Sequence, residues 1–211
     1  AELSSPRMSQ MMDSGYPIKL FVLDNVNTKP ENAAAKIAAS ANAMWPLLAA
    51  KSAQISRVSL VDTEHMFTEM QNALASLSGA VVSVLCPNTF AHDINPQRWR
   101  ALSNLGVNTR AFSPFSFNPM ANGNSFGSKF NTAAIPNFDE DWQEVTLNYI
   151  EKDEEASLKY KATFADWAFT LLSWKQQFKQ VDNMQNTLVV ADYLALAAED
   201  RAKKVPIILK K

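Results

Sequence analysis

One cysteine, two histidines and five glycines in 211 residues exclude several common chemistries. Cys86 has no partner for an internal disulfide and fits a reducing compartment, so the expected location is cytoplasmic; a mature exported chain would show the same pattern. So few cysteines and histidines cannot build a structural zinc site or a cysteine-ligated iron–sulfur cluster. The chain has no Walker loop, no Gly-x-Ser-x-Gly elbow and no His-Glu-x-x-His pair. No apolar run is long enough to span a bilayer. The N-terminus lacks the charged and then apolar pattern of a signal peptide. It starts Ala1-Glu2-Leu3, without methionine, which fits processing, tag removal or excision from a longer protein. A net charge of −1 gives no general field for nucleic acid or an anionic membrane, so neither is an expected partner.

What is present is a chain that is 47% hydrophobic, enough for one sizeable core and a small appended unit. Residues 4–14 read as a short helix, with Ser5 as N-cap and Pro6 in its first turn. Residues 18–23 read as a buried strand, and the alanine-rich stretch 31–50 as a helix interrupted near Pro46. A second strand is expected at 58–61. A helix at 64–77 follows, capped by Asp62 or Thr63, with Met66, Phe67, Met70, Leu74 and Leu77 on its apolar face and Gly79 at its end. Residues 80–86 are apolar enough for a strand buried on both faces. Pro96 opens a helix that Gly106 stops, and 107–117 reads as extended. Repeated β-α-β with short links predicts a doubly wound, mostly parallel sheet. After Pro119 the composition changes. Met120–Asn131 is rich in Asn, Gly and Ser and reads as loop. Strands 145–150 and 158–162 form a hairpin across the charged turn 151–155. Thr163 caps a helix over 164–180 with Phe164, Trp167, Leu171, Trp174 and Phe178 on one stripe. A helix near 190–202 and a terminal strand at 205–209 complete the chain. The expected division is an α/β domain, 1–138, and an α+β extension, 139–211.

An open α/β sheet binds its ligand beyond the carboxyl ends of its strands. That places Asp24 and Asn25 after the first strand, and His92 after the third, at the expected crevice. A phosphate there usually needs glycine for close backbone approach. The loop Val26-Asn27-Thr28-Lys29-Pro30-Glu31 contains none. His65 falls in the first turn of a helix and is expected at the surface. Cys86 reads as an inert core thiol, because no electropositive setting activates it. The acidic residues 139–141 and 151–155 lack the glycine and ligand spacing of a calcium loop, and read as solvated. The basic end, Lys203, Lys204, Lys210 and Lys211, reads the same way.

Five separated segments, in order, resemble the pyruvate:ferredoxin (flavodoxin) oxidoreductase family, in the thiamine diphosphate-binding region of its large fused members. Ser14-Gly15-Tyr16-Pro17-Ile18-Lys19-Leu20-Phe21-Val22-Leu23-Asp24 is similar to the family's strand ending in Leu-Asp-Thr. Val84-Leu85-Cys86-Pro87 with His92 is similar to a Tyr-Pro and His-Gly stretch after a core strand. Thr109-Arg110-Ala111-Phe112-Ser113-Pro114-Phe115 is similar to Ser-Arg-Ala-Phe-Pro-Leu-Phe. Asp139-Glu140-Asp141-Trp142 leads to Thr163-Phe164-Ala165-Asp166-Trp167-Ala168 and Phe178. Tyr193-Leu194-Ala195-Leu196, Glu199-Asp200-Arg201 and Val205-Pro206-Ile207-Ile208 complete the set.

The resemblance implies a thiamine diphosphate-binding-type fold and an electron-transfer assembly handling 2-oxoacids. It places Asp24, Asn25, Asn27 and His92 near the cofactor. The departures bear on activity. The family's upstream Gly-Asp-Gly is missing, its threonine after the aspartate is Asn25, and its glycine after the histidine is Asp93. Its glycine-bearing loop is replaced by Asn27-Thr28-Lys29-Pro30-Glu31. The expectation is therefore a partial or degenerate domain that packs within an oxidoreductase-like assembly and does not catalyse alone. It is expected to bind no cofactor or metal by itself. Its partners would be other domains or subunits, or a second copy in a homodimer. One alternative is a subunit giving half of a thiamine diphosphate/Mg²⁺ site for 2-oxoacid oxidative decarboxylation, with Asn25 as a metal ligand once another segment completes the site. A second is a stand-alone small-ligand module.

Overall fold

The computed structural model describes residues 6–24, 45–48, 52–88, 95–151, 154–181 and 185–208. Its centre is a five-stranded sheet in the order β1-β3-β2-β4-β5. Strands β1 (Lys19–Asp24), β2 (Gln54–Ser59) and β3 (Ala80–Leu85) run parallel, with Asp24, Leu85 and Ser59 in one row at their carboxyl ends. The short strands β4 (Phe115–Phe117) and β5 (Phe130–Asn131) add antiparallel beyond β2. The fold is thus mixed α/β with a mostly parallel sheet.

Strand side chains alternate between faces. One face carries Val22, Asp24, Ile55, Arg57, Val81 and Leu85. The other carries Phe21, Leu23, Ser56, Val58, Val82 and Val84. Helix α1 (Pro6–Met12) and the turn α2 (Trp45–Leu48) cover the amino-terminal half of the first face, through Met12, Leu47 and Leu48 against Ile55 and Val81. Helix α3 (Thr63–Ala75) covers the second face, through Met66 and Ala73 against Val58, Val82 and Val84. Helix α4 (Trp99–Asn108) lies on the first face, packing Leu102, Leu105 and Val107 around Leu85.

The remaining chain forms a long hairpin, β6 (Gln143–Glu151) with β7 (Glu154–Ala162), then α5 (Phe164–Thr170) and α6 (Leu172–Lys175). A parallel pair of strands, β8 (Thr187–Val189) and β9 (Val205–Ile207), brackets α7 (Val190–Ala195) and α8 (Ala198–Arg201). Tyr160, Ala162, Trp167 and Leu171 share one core cluster with Leu85, Leu102 and Phe112. The hairpin and α5 are therefore packed into the same core as the main sheet.

Several expectations change. The second strand is 54–59 instead of 58–61, because its polar residues are buried with partners: Ser56 donates to Glu69 at 2.5 Å, and Arg57 faces Asp24. That Ser56–Glu69 bond turns α3, so Met66, Glu69 and Ala73 are buried while Phe67 and Leu74 are exposed. Gly79 does not end the helix. A side chain there would come within 3.1 Å of the Met12 carbonyl, so close approach to α1 explains it. Gly106 lies inside α4, where a Cβ would sit 3.0 Å from the Trp167 ring. The expected helix 164–180 breaks at Leu171, which is extended (φ −76°, ψ 123°). The 107–117 stretch is helical to Asn108 and forms strand only from Phe115.

Candidate functional site

The carboxyl edge of the parallel strands is built around a buried cation. Arg57 Nη2 lies 3.7 Å from Asp24 Oδ2, across the intervening β3, with the two side chains 7% and 14% exposed. The guanidinium also stacks over the Phe112 ring, 4.1 Å from its centre. Its Nε is buried without a hydrogen-bond partner among the described residues. Burial pushes the Arg57 guanidinium below its usual range, and the Asp24 charge opposes that shift. Asp24 is thus committed to a cation supplied by the protein itself.

Beyond Ser59 the same edge opens into a cleft of about 170 Å³. The chain leaving β2 enters α3 on one face of the sheet, whereas the chain leaving β3 returns as α4 on the other. Neighbouring strands whose connections part in this way leave a crevice between them. The loop after β2 supplies Asp62, and the first turn of α3 supplies His65. Asp62 caps α3, its Oδ1 accepting the His65 N–H at 3.0 Å. Helix α4 supplies Asn104 and Asn108, four residues apart and so on one side of the helix. Val61, Val107, Pro114, Ala134 and Pro136 form the apolar walls. The outer wall is tied down: Gln143 Nε2 donates to the Pro136 carbonyl at 2.8 Å, and Arg110 Nη2 donates to the Asn137 and Glu140 carbonyls at 2.9 Å each.

No protein-family model and no curated protein sequence matches the chain. The site therefore rests on its own geometry.

Of the residues expected near a cofactor, the structure places Asp24 at the carboxyl edge, paired with Arg57. Asn25, Asn27 and His92 lie outside the described residues. His65, expected at the surface, is partly buried and lines the cleft, and its Nε2 is buried without a hydrogen-bond partner among the described residues. Cys86 is a free thiol, half-buried just past β3. Among the described residues no three His, Cys, Asp or Glu side chains gather as a metal site. A magnesium ion on Asp24 would also compete with the guanidinium 3.7 Å away. Asp24 is therefore taken up by Arg57 rather than open to a magnesium ion.

Sequence reasoning missed Arg57, Ser59, Asn104 and Asn108. An arginine inside the strand-like run Gln54-Ile55-Ser56-Arg57-Val58 was the readable signal, since a charge within a buried strand needs a partner. The Asn104–Asn108 spacing beside a buried helical stripe was another.

Proposed function

We propose that this chain is a packing domain of a 2-oxoacid:ferredoxin oxidoreductase-like assembly, built on a doubly wound, thiamine diphosphate-binding-type fold and not catalytic by itself. The observation that carries this reading is an apolar face that no described residue covers. Phe21 and Leu23 project from β1, the outermost strand of the sheet among the described residues, and Leu23 is 72% exposed. Phe67, Leu74 and Leu77 project from α3 and its C-terminal turn on the same side of the sheet, and Leu77 is 94% exposed. Lys19 ties the two together: its Nζ donates at 2.6 Å to the carbonyls of Ser76 and Ser78, which flank Leu77. Scattered exposed apolar side chains are ordinary, but five on one face mark a contact surface. The Arg57–Asp24 pair supports the same reading, because the carboxylate that the family resemblance sets beside a diphosphate is already neutralised.

The test is sedimentation velocity of the full chain across a concentration series, compared with Leu23→Lys and Leu77→Lys. Both substitutions are at exposed positions, so folding is retained. The reading predicts self-association of the unmodified chain through this face, weakened by either lysine. A chain that stays monomeric throughout, or associates equally well with both lysines present, removes the basis for an assembly role.

A further inference from the structure

We propose that the cleft at the carboxyl end of β2 binds a small primary ammonium compound, with the ammonium on Asp62 and the amide oxygens of Asn104 and Asn108, and its short alkyl part against Val61 and Val107. This inference is independent of the packing role and concerns the opposite side of the chemistry: a small molecule, not a protein.

The charge of the ligand follows from the lining. Among the described lining residues Asp62 is the one formally charged side chain, and no described lysine or arginine joins it. The positive N-terminal pole of α3 is already engaged, since Asp62 accepts the His65 N–H through Oδ1 and the Met66 N–H through its carbonyl. Asn104, Val107 and Asn108 come from the last turns of α4, whose carbonyls are engaged too: Leu105 by Thr109, Gly106 by Phe112 and Val107 by Arg110. The Asp62 carboxylate therefore sets the sign: it repels an anion and favours a cation.

The donor pattern points the same way. An ammonium offers three donors and no acceptor. The cleft offers acceptors: the second Asp62 oxygen, two amide oxygens and the Ser59 hydroxyl. Size is set by volume. At roughly 30 Å³ per water, about 170 Å³ holds five or six waters, which fits a compact amine and no nucleotide. The proline and valine walls suit a short hydrocarbon part.

The test uses the full chain labelled at the histidine Cε1 positions, with the two histidine signals assigned through His65→Gln. n-Butylamine hydrochloride is titrated at fixed pH and ionic strength, with sodium acetate and inorganic phosphate as anion probes. The proposal predicts a saturable shift of the His65 signal with amine, in the millimolar range expected of so small a ligand, and none with either anion. Asp62→Asn keeps a capping oxygen on α3, and is expected to weaken amine binding about tenfold or more. Asn104→Leu, at an exposed helical position, fills the cleft from the other side and is expected to abolish the shift. No saturable shift with amine, binding of an anion in its place, or unchanged affinity in either Asp62→Asn or Asn104→Leu would overturn the proposal.

Discussion

Replacing Arg57 by methionine tests how the carboxyl edge of the sheet is held. The side chain is buried in the middle of the parallel strands, and its charge is balanced across β3 by Asp24 at 3.7 Å. Removing one member of a fully buried pair costs roughly 3–5 kcal/mol, because the other charge is left unbalanced. Asp24 keeps 14% of its side-chain surface, and the separation is longer than a hydrogen bond, so about 2–3 kcal/mol is expected here. Two smaller effects oppose each other. Losing the stack on Phe112 costs about 0.5–2 kcal/mol, and removing a buried nitrogen without a partner returns about 1–3 kcal/mol. Asp24→Leu alone leaves the guanidinium buried against an apolar neighbour and should cost a comparable amount. The double variant Arg57→Met/Asp24→Leu removes both charges and should fall within about 1 kcal/mol of the unmodified chain. Urea unfolding followed by tryptophan fluorescence measures all four corners of this cycle. If the two single losses simply add, Arg57 and Asp24 are not coupled and the description of this edge is wrong.

Gly106→Val should destabilise the fold by about 1–3 kcal/mol, measured by the same unfolding assay, because its first carbon meets the fully buried Trp167 ring at 3.0 Å. Gly106→Ala should lose less, since alanine regains about 1 kcal/mol of helix propensity. The Tyr160 phenol is held well above its ordinary range, first by burial and then by the charge of Asp166 and a hydrogen bond to it. Its folded-state value exceeds its unfolded one, so the stability it contributes is complete below about pH 10 and declines as the pH climbs above that. Ultraviolet titration should show one of the four tyrosines staying protonated until the protein unfolds, and four normal titrations would refute this.

The parts of the fold legible in the sequence are those where one local signal dominates. The run Ala80–Leu85 is apolar throughout and is the central strand of the parallel set, between β1 and β2. The hairpin strands alternate in polarity and pair in register from Gln143–Ala162 to Glu151–Glu154. Thr163 precedes α5 as its cap, with the Asp166 carboxylate accepting the Thr163 N–H at 2.8 Å. What was not legible depends on contacts between distant segments. β2 is half polar and its start carries no local signal, because Glu69 and Asp24, which make its polar residues tolerable, lie 13 residues beyond Ser56 and on another strand. The exposed stripe of α3 reads as a core face in isolation. The helix instead buries the side that satisfies Ser56. Gly79 and Gly106 look like stop signals and are sites of close packing. The candidate site follows the same pattern. A crevice beyond the strand ends could be anticipated, and Asp24 lies at that edge. The cleft, however, is assembled from Asp62, His65, Asn104 and Asn108, which no local motif joins.

The central claim is that this chain packs within an assembly and does not hold a diphosphate cofactor on its own. Isothermal titration of the full chain with thiamine diphosphate, with and without magnesium, tests it most directly. The account predicts no saturable heat in either case, since Asp24 is engaged by Arg57 and the loop after β1 contains no glycine. Magnesium-dependent binding at micromolar concentrations would contradict it.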